Sequence, residues 1–251
     1  MSNIFSLTSR RVLITGGGTG LGLAITRAML NAGAEVMIVG RREEILRDTC
    51  NALGAKVSYR VLDVAELKNI PSFVAELDKE FPVDVLVNNA GINMKKEFLE
   101  VTDEDFEKVI RTNQLAAFTL SREIAAKMVP RKKGNIIMIS SMAAKYGIPG
   151  VIAYTAAKSA IEGMTKAMAV DLSPSGIRVN CIAPGFIETD MSAAALNNDP
   201  ARKARVLGRT PMGYLGKPDD VGHAAVFLAS DASKYITGVS LPVDGGNSIG
   251  F

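Results

Sequence analysis

The chain has 251 residues, of which 47% are hydrophobic and 22% charged, and its net charge of +3 is spread along the sequence. Such values belong to an ordinary globular protein and are too mild for a nucleic-acid binder. A single histidine, His223, and two cysteines, Cys50 and Cys181, exclude a zinc site built on several histidines, and neither cysteine stands in a C-x-x-C pair.

The first eleven residues, "MSNIFSLTSRR", lack the order of a signal peptide. The longest uncharged stretch, residues 12–26, is broken by five glycines and is too short to span a bilayer. With free cysteines expected in a reducing compartment, the chain reads as a cytoplasmic enzyme with no membrane partner, no nucleic-acid partner and no metal.

Seven short apolar, β-branched runs read as strands: residues 11–16, 35–40, 57–64, 83–91, 135–141, 177–185 and 238–246. Most are continuous rather than alternating, as in strands buried on both faces of a parallel sheet. Between them lie helix-like segments at 20–32, 42–53, 66–80, 103–129, 154–173 and 218–229. The alternation implies right-handed βαβ units: an α/β, doubly wound (Rossmann) domain with a seven-stranded, mostly parallel sheet and helices on both faces. No Gly/Ser/Pro-rich linker divides residues 1–251, so one domain is expected. Residues 186–216 are long, poor in strand pattern and mixed in charge, and are expected to form a helical substrate lid within it.

The first strand runs into "TGGGTGLG" (15–22) and then a helix. Gly16, Gly18, Thr19, Gly20 and Leu21 therefore stand where a backbone turn and a helix N-terminus can receive a diphosphate. Position after a strand and before a helix is the context that makes a glycine cluster a dinucleotide site. The second strand ends in Arg41 and Arg42 rather than in an acid for a ribose 2′-hydroxyl. Two guanidiniums suit a 2′-phosphate, so NADP(H) is preferred and NAD(H) is the second coenzyme weighed. Asp63 and Val64 should reach the crevice near the adenine. "NNAG" (88–91) places Asn89, Ala90 and Gly91 at the end of the fourth strand, beside the ribose.

Tyr154 and Lys158 are four residues apart and share a helix face. A free phenol titrates near 10, and a neighbouring ammonium favours its phenolate. Such a phenol can donate a proton to a carbonyl or take one from an alcohol, and the lysine can also hold the nicotinamide ribose. Ser141 ends the fifth strand, where a hydroxyl can hold the substrate oxygen, while Ser140 points to the other side. Asn113 is polar within an apolar helical stripe and is read as the holder of a water beside the lysine. His223 reads as an ordinary residue of an amphipathic helix.

"TGGGTGLG", "NNAG", Asn113, Ser141, "YTAAK" (154–158), "PG" (Pro184, Gly185) and "DGG" (244–246) occur in an order and spacing that resemble the short-chain dehydrogenase/reductase family. The resemblance covers the whole chain. It implies a catalytic tetrad of Asn113, Ser141, Tyr154 and Lys158, with Tyr154 as general acid/base. It also implies nicotinamide contacts at Ile187 and Thr189, after Pro184 and Gly185, and a homotetramer packed through the long helices near 103–129 and 154–173. Members that prefer NADP often carry a basic residue inside the glycine turn; here that residue is Thr19, so the coenzyme expectation rests on Arg41 and Arg42.

The segment beginning at Asn197, "NNDPARKARVLGRTPMGYLGKPDDV", and the final "DGGNSIGF" resemble the gluconate 5-dehydrogenase and 2-deoxygluconate 3-dehydrogenase branch. A sugar acid or polyol is the substrate expected from that likeness. Lys95 and Lys96, near the crevice mouth, could attract a carboxylate or phosphate. A 3-oxoacyl-(acyl-carrier-protein) reductase is the alternative, with Arg202, Arg205 and Arg209 guiding a phosphopantetheine arm. A non-catalytic dinucleotide-binding sensor is the reading from another class.

Overall fold

Val12, Leu13 and Ile14 are all fully buried, although successive side chains of a strand point to opposite faces. Both faces of β1 (Arg11–Thr15) are therefore covered. The same holds for β2 (Glu35–Gly40), β4 (Val85–Asn88), β5 (Gly134–Ile139) and β6 (Ile177–Pro184), while β3 (Val57–Val61) and β7 (Ser240–Val243) form the more exposed edges. The structure, a computed structural model, describes residues 3–189 and 199–250. Its seven strands follow the order β3-β2-β1-β4-β5-β6-β7, and every pairing is parallel.

Eight helices among the described residues cover this sheet: α1 (Gly20–Asn31), α2 (Glu43–Leu53), α3 (Ile70–Glu80), α4 (Asp103–Ile110), α5 (Ala116–Met128), α6 (Ile152–Leu172), α7 (Pro200–Arg209) and α8 (Pro218–Ala229). Leu13, Leu86 and Ile136 face one core layer with Val74 of α3, Leu120 of α5 and Ile161 of α6. Val12, Ile14 and Ile137 face the other, with Ile25 of α1, Leu46 of α2 and Val221 of α8. Burying one such side chain contributes about 1.5–3 kcal/mol, so strand register is strongly fixed from both sides. Helices α1 and α8 approach closely because Gly222 has no side chain: a Cβ there would lie 3.0 Å from the Ala24 carbonyl oxygen.

Strand order reverses at β1, whose neighbours are β2 and β4. In an open α/β sheet a ligand crevice opens beyond the strand carboxyl ends at such a reversal.

Several expected elements differ in detail: the strands expected at 83–91, 135–141 and 238–246 end early, at Asn88, Ile139 and Val243, so Ser141 stands just beyond β5. The helix expected at 66–80 begins with a 3-10 turn, Leu67–Asn69, before α3. The helix expected at 103–129 is α4 and α5 joined by a π-helical turn, Arg111–Leu115. Asn113 lies in that turn, and its side chain leaves the helix to bond the Ile92 backbone; insertions of this kind are where helical ladders widen. The strand expected at 57–64 stops at Val61, because Leu62 turns inward while Asp63 caps a loop by accepting from the Ala65 N–H at 2.9 Å. Within 186–216, helix α7 starts at Pro200, and residues 190–198 lie outside the described ones.

Candidate active site

A cleft of about 660 Å³ runs beyond the carboxyl ends of the central strands. Its floor is the glycine turn. Gly16 has φ +67°, open to glycine and strained for other residues, and a Cβ on Gly22 would sit 2.0 Å from the Gly16 carbonyl oxygen. Only glycine lets the first turn of α1 close so tightly on β1. Thr19, at the N-cap, makes no side-chain cap hydrogen bond, and the first turn of α1 carries no acid. The first N–H groups of α1 thus keep their capacity for an anion. Gly16, Gly18, Thr19, Gly20 and Leu21 all line the cleft. A pyrophosphate bridge fits this cradle, whose shape depends on the close approach of Gly22 to Gly16.

Thr15 locks the cradle to β4. Its hydroxyl accepts from the N–H groups of Asn89 (3.0 Å) and Ala90 (2.9 Å), and the Asn89 amide donates back to the Thr15 carbonyl at 2.9 Å. The two adjacent asparagines divide the work. Asn88 turns into the core, donating to Ser121 Oγ at 2.9 Å, whereas Asn89, Ala90 and Gly91 line the cleft.

At the other end of β2, Arg41 and Arg42 line the cleft, are exposed, and enter no side-chain hydrogen bond or ion pair among the described residues. Asp63 and Val64 line the same end, as do Ile45 and Leu46 of α2.

Tyr154, Ser141 and Lys158 meet at the opposite end. Lys158 is 4% exposed, donates from Nζ to the Ile139 carbonyl at 2.7 Å, and lies 5.4 Å from the centre of the Tyr154 ring. Ser141 is the N-cap of a 3-10 turn, Met142–Ala144, where its Oγ accepts from the Ala143 N–H at 3.1 Å. An oxygen that already accepts keeps its own proton for a ligand. Ser140, one residue beyond β5, turns its hydroxyl to the Lys158 carbonyl (3.1 Å) and Glu162 (3.3 Å). Glu162 also holds Lys145 at 2.6 Å and Ser240 at 2.9 Å, so one half-buried carboxylate ties the loop after Ser141 to the helix of Tyr154.

One expectation is corrected here. The lysine was expected to lower the pKa of the phenol. Burial instead pushes the Tyr154 phenol above its usual value, and the Ser141 hydroxyl opposes this only in part. Burial also draws Lys158 down to about 8, so the same desolvation disfavours both charged forms. Asn113, expected to hold a water, also anchors a backbone segment: Oδ1 accepts from the Ile92 N–H and Nδ2 donates to the Ile92 carbonyl, each at 2.8 Å. Asn113 is buried and does not line the cleft. It stands behind Gly91, where a Cβ would meet its Oδ1 at 3.2 Å and Lys158 Nζ at 3.7 Å.

Pro184, Gly185, Ile187 and Thr189 close the cleft from β6. Gly185 packs on the "DGG" turn, where a Cβ would come within 2.6 Å of Asp244 Cα. Of the expected cations, Lys96 is spent on Asp105 at 2.7 Å, and Lys95 is exposed outside the cleft lining. Arg205 is exposed outside it too, whereas Arg202 lines it from α7. Sequence reasoning did not single out Thr15, Thr112, Phe186 or Glu162. His223 is exposed on α8, away from the cleft lining.

A family model described as enoyl-(acyl carrier protein) reductase matches residues 16–248. The chain belongs to the short-chain dehydrogenase/reductase family. It is 38% identical over 245 residues to a 3-oxoacyl-(acyl-carrier-protein) reductase of Chlamydia pneumoniae, covering 96% of this chain and 98% of that one. It is 36% identical over 251 residues to a gluconate 5-dehydrogenase of Gluconobacter oxydans, covering 98% of each. Among solved structures it superposes with a TM-score of 0.94, at 35% identity and 99% and 98% coverage, on a gluconate 5-dehydrogenase from Burkholderia cenocepacia in complex with NADP and tartrate. The family is one of oxidoreductases, and the all-parallel sheet and crevice described above are its fold. No helix among the described residues is long and apolar enough to cross a membrane.

Proposed function

We propose that the protein moves a hydride between NADP(H) and the carbonyl or secondary alcohol of a sugar acid or polyol. The observation that carries this reading is the convergence of Ser141, Tyr154 and Lys158 on the cleft that begins at the glycine turn. The turn would hold the diphosphate, Arg41 and Arg42 the 2′-phosphate, Asp63 and Val64 the adenine end, and Asn89 to Gly91 with Lys158 the nicotinamide ribose. Ile187 and Thr189 would meet the nicotinamide side. When bound, the dinucleotide supplies or accepts the hydride.

The chain's own groups then handle the proton. The raised phenol of Tyr154 is protonated near neutral pH, so it can donate to a carbonyl oxygen as that oxygen gains charge. Ser141 donates a hydrogen bond to the same oxygen. The Lys158 ammonium stabilises the phenolate left behind, and Asn113 acts as a positioning residue by fixing Ile92 beside Gly91. In the reverse direction Tyr154 must first lose its proton, so alcohol oxidation should gain from alkaline pH.

The likeness to gluconate dehydrogenases at 35–36% identity supports the sugar-acid class. The 38% identity to an acyl-carrier-protein reductase favours the second reading, reduction of a 3-oxoacyl thioester. Helix α7, within the segment expected as a lid, would border the substrate in either case. Half-exposed Leu115, Phe118 and Ile152, with Val170, lie on α5, α6 and the turn before α5, which supports a homotetramer packed through these helices.

The test is a panel of sugar acids, polyols and acetoacetyl thioesters, read by absorbance of the reduced nicotinamide with each coenzyme. Turnover of a sugar acid faster with the phosphorylated coenzyme is expected; equal rates with both overturn the assignment of Arg41 and Arg42. Tyr154→Phe should lower turnover by about 10²–10⁴-fold while dinucleotide binding persists. Full activity in that variant overturns the mechanism, and absence of any turnover in the native protein leaves the sensor.

A further inference from the structure

We propose that Arg202 is the specificity-determining residue of the cleft, the cation that pairs with a substrate carboxylate. This deepens the sugar-acid reading above and rests on it for the chemistry of the ligand.

Among the described residues four cations line the cleft: Arg41, Arg42, Lys158 and Arg202. The first two stand beyond β2, at the end remote from Tyr154. Lys158 is buried and its Nζ is held by the Ile139 carbonyl at 2.7 Å. Arg202 is what remains to neutralise an anion elsewhere in the cleft. The segment between Thr189 and Asp199 contains no lysine, arginine or histidine, and Lys96 is already paired with Asp105.

The local sequence aims this side chain. Asp199 caps α7 by accepting from the Arg202 N–H at 2.8 Å, and Pro200 starts the helix. Arg202, Val206 and Arg209 follow at i, i+4 and i+7, so they share one face. Val206 is buried. Arg209 stacks 4.0 Å from the centre of the Tyr146 ring and donates to the Asn247 carbonyl at 3.0 Å. Asn247 is fully buried; its amide donates to Thr210 Oγ1 at 2.8 Å and to the Val206 carbonyl at 3.3 Å. The inward face of α7 is thus pinned at its far end, and Arg202 projects from the near end into the cleft.

The Arg202 side chain is half-buried, yet it makes no hydrogen bond or ion pair among the described residues. A guanidinium withdrawn from water without a partner is unfavourable, and its planar fork matches a carboxylate bidentately. Arg205, on another face, is exposed. A hydroxy-carboxylate held by Arg202 would lie in the cleft that Ser141 and Tyr154 also line.

Calorimetric titration of the NADP⁺-loaded protein with gluconate, and with its neutral counterpart sorbitol, separates charge from hydroxyl recognition. Gluconate should bind more tightly than sorbitol. Arg202→Gln should weaken gluconate by about 10- to 100-fold, the range for a lost hydrogen bond to a charged group, so that the difference between the two ligands collapses. Arg202→Lys should retain part of it. Equal binding of both ligands by the native protein, or an undiminished preference in Arg202→Gln, overturns the proposal. Turnover of the same pair is read separately. Arg202-dependent gluconate binding without turnover overturns the hydride-transfer reading and leaves the carboxylate site standing; turnover with no carboxylate preference does the reverse.

Discussion

The two ends of the cleft are built differently. The glycine-turn end is closed by a backbone contact, Gly16 against Gly22, where no side chain fits; Thr15 and Asn89 brace β1 against β4 beside it through side chain–backbone hydrogen bonds. The α7 end is closed by side chains that converge on one buried asparagine, Asn247. Backbone contacts leave no freedom of residue type, so that end specifies a ligand common to a whole family. Side-chain contacts can be exchanged, so the α7 end is where members with one coenzyme can differ in substrate.

The sharpest way to break this contrast is to add one methyl group at the backbone-built end. In Gly22→Ala the new Cβ would lie 2.0 Å from the Gly16 carbonyl oxygen and 2.6 Å from Asn89 Nδ2. Neither neighbour can retreat without parting β1 from β4. The substitution should destabilise the fold by at least about 3 kcal/mol, the upper range for overpacking, and abolish dinucleotide binding. Thermal unfolding and a coenzyme titration check both; a native melting temperature would show that the turn tolerates volume.

A proton is a gentler probe, at the lysine beside Tyr154. Burial lowers Lys158 from 10.5 to about 8. Below pH 8 the folded chain carries a buried ammonium and is destabilised by it. Between about 8 and 10.5 the unfolded chain still binds a proton that the folded chain has released. Stability therefore rises with pH across that window, by an amount on the order of a few kcal/mol. Other groups titrate there too, so the measurement is the difference in slope between the native protein and Lys158→Met, followed by chemical denaturation without coenzyme. Parallel slopes would place the lysine in water.

The same division governs what could be read before any coordinates. Apolar runs located all seven strands, because a strand buried on both faces leaves an uninterrupted pattern. The run at 57–64 overreached, since Leu62 is buried without belonging to β3. The glycine turn was legible because its constraint is local. Every expected cofactor position lines the cleft. Asn113 was legible as an oddity but its bonds to Ile92 were not: Ile92 lies 21 positions away in the chain, and the helical period passes through the π turn unbroken. The phenol was misjudged for a related reason. A cation four residues off is visible in a sequence, while the desolvation that outweighs it comes from packing. Helix α7 had a readable start in Asp199 and Pro200, but Arg202 became distinguishable from Arg205 only when Val206 and Arg209 were seen to face inward.

The smallest effect tests the side-chain-built end. Gly208 lies in α7, and a Cβ there would meet nothing within 4 Å. Gly208→Ala removes backbone freedom from the unfolded chain without a clash in the folded one. It should stabilise the protein by about 0.5–1 kcal/mol, the opposite sign to the same substitution at Gly22. Arg202 lies six positions earlier on the helix, so dinucleotide affinity should stay unchanged while the cleft keeps its preference among ligands. If Gly208→Ala instead destabilised the fold, α7 would be packed as tightly as the glycine turn, and the two ends of the cleft would no longer differ in kind.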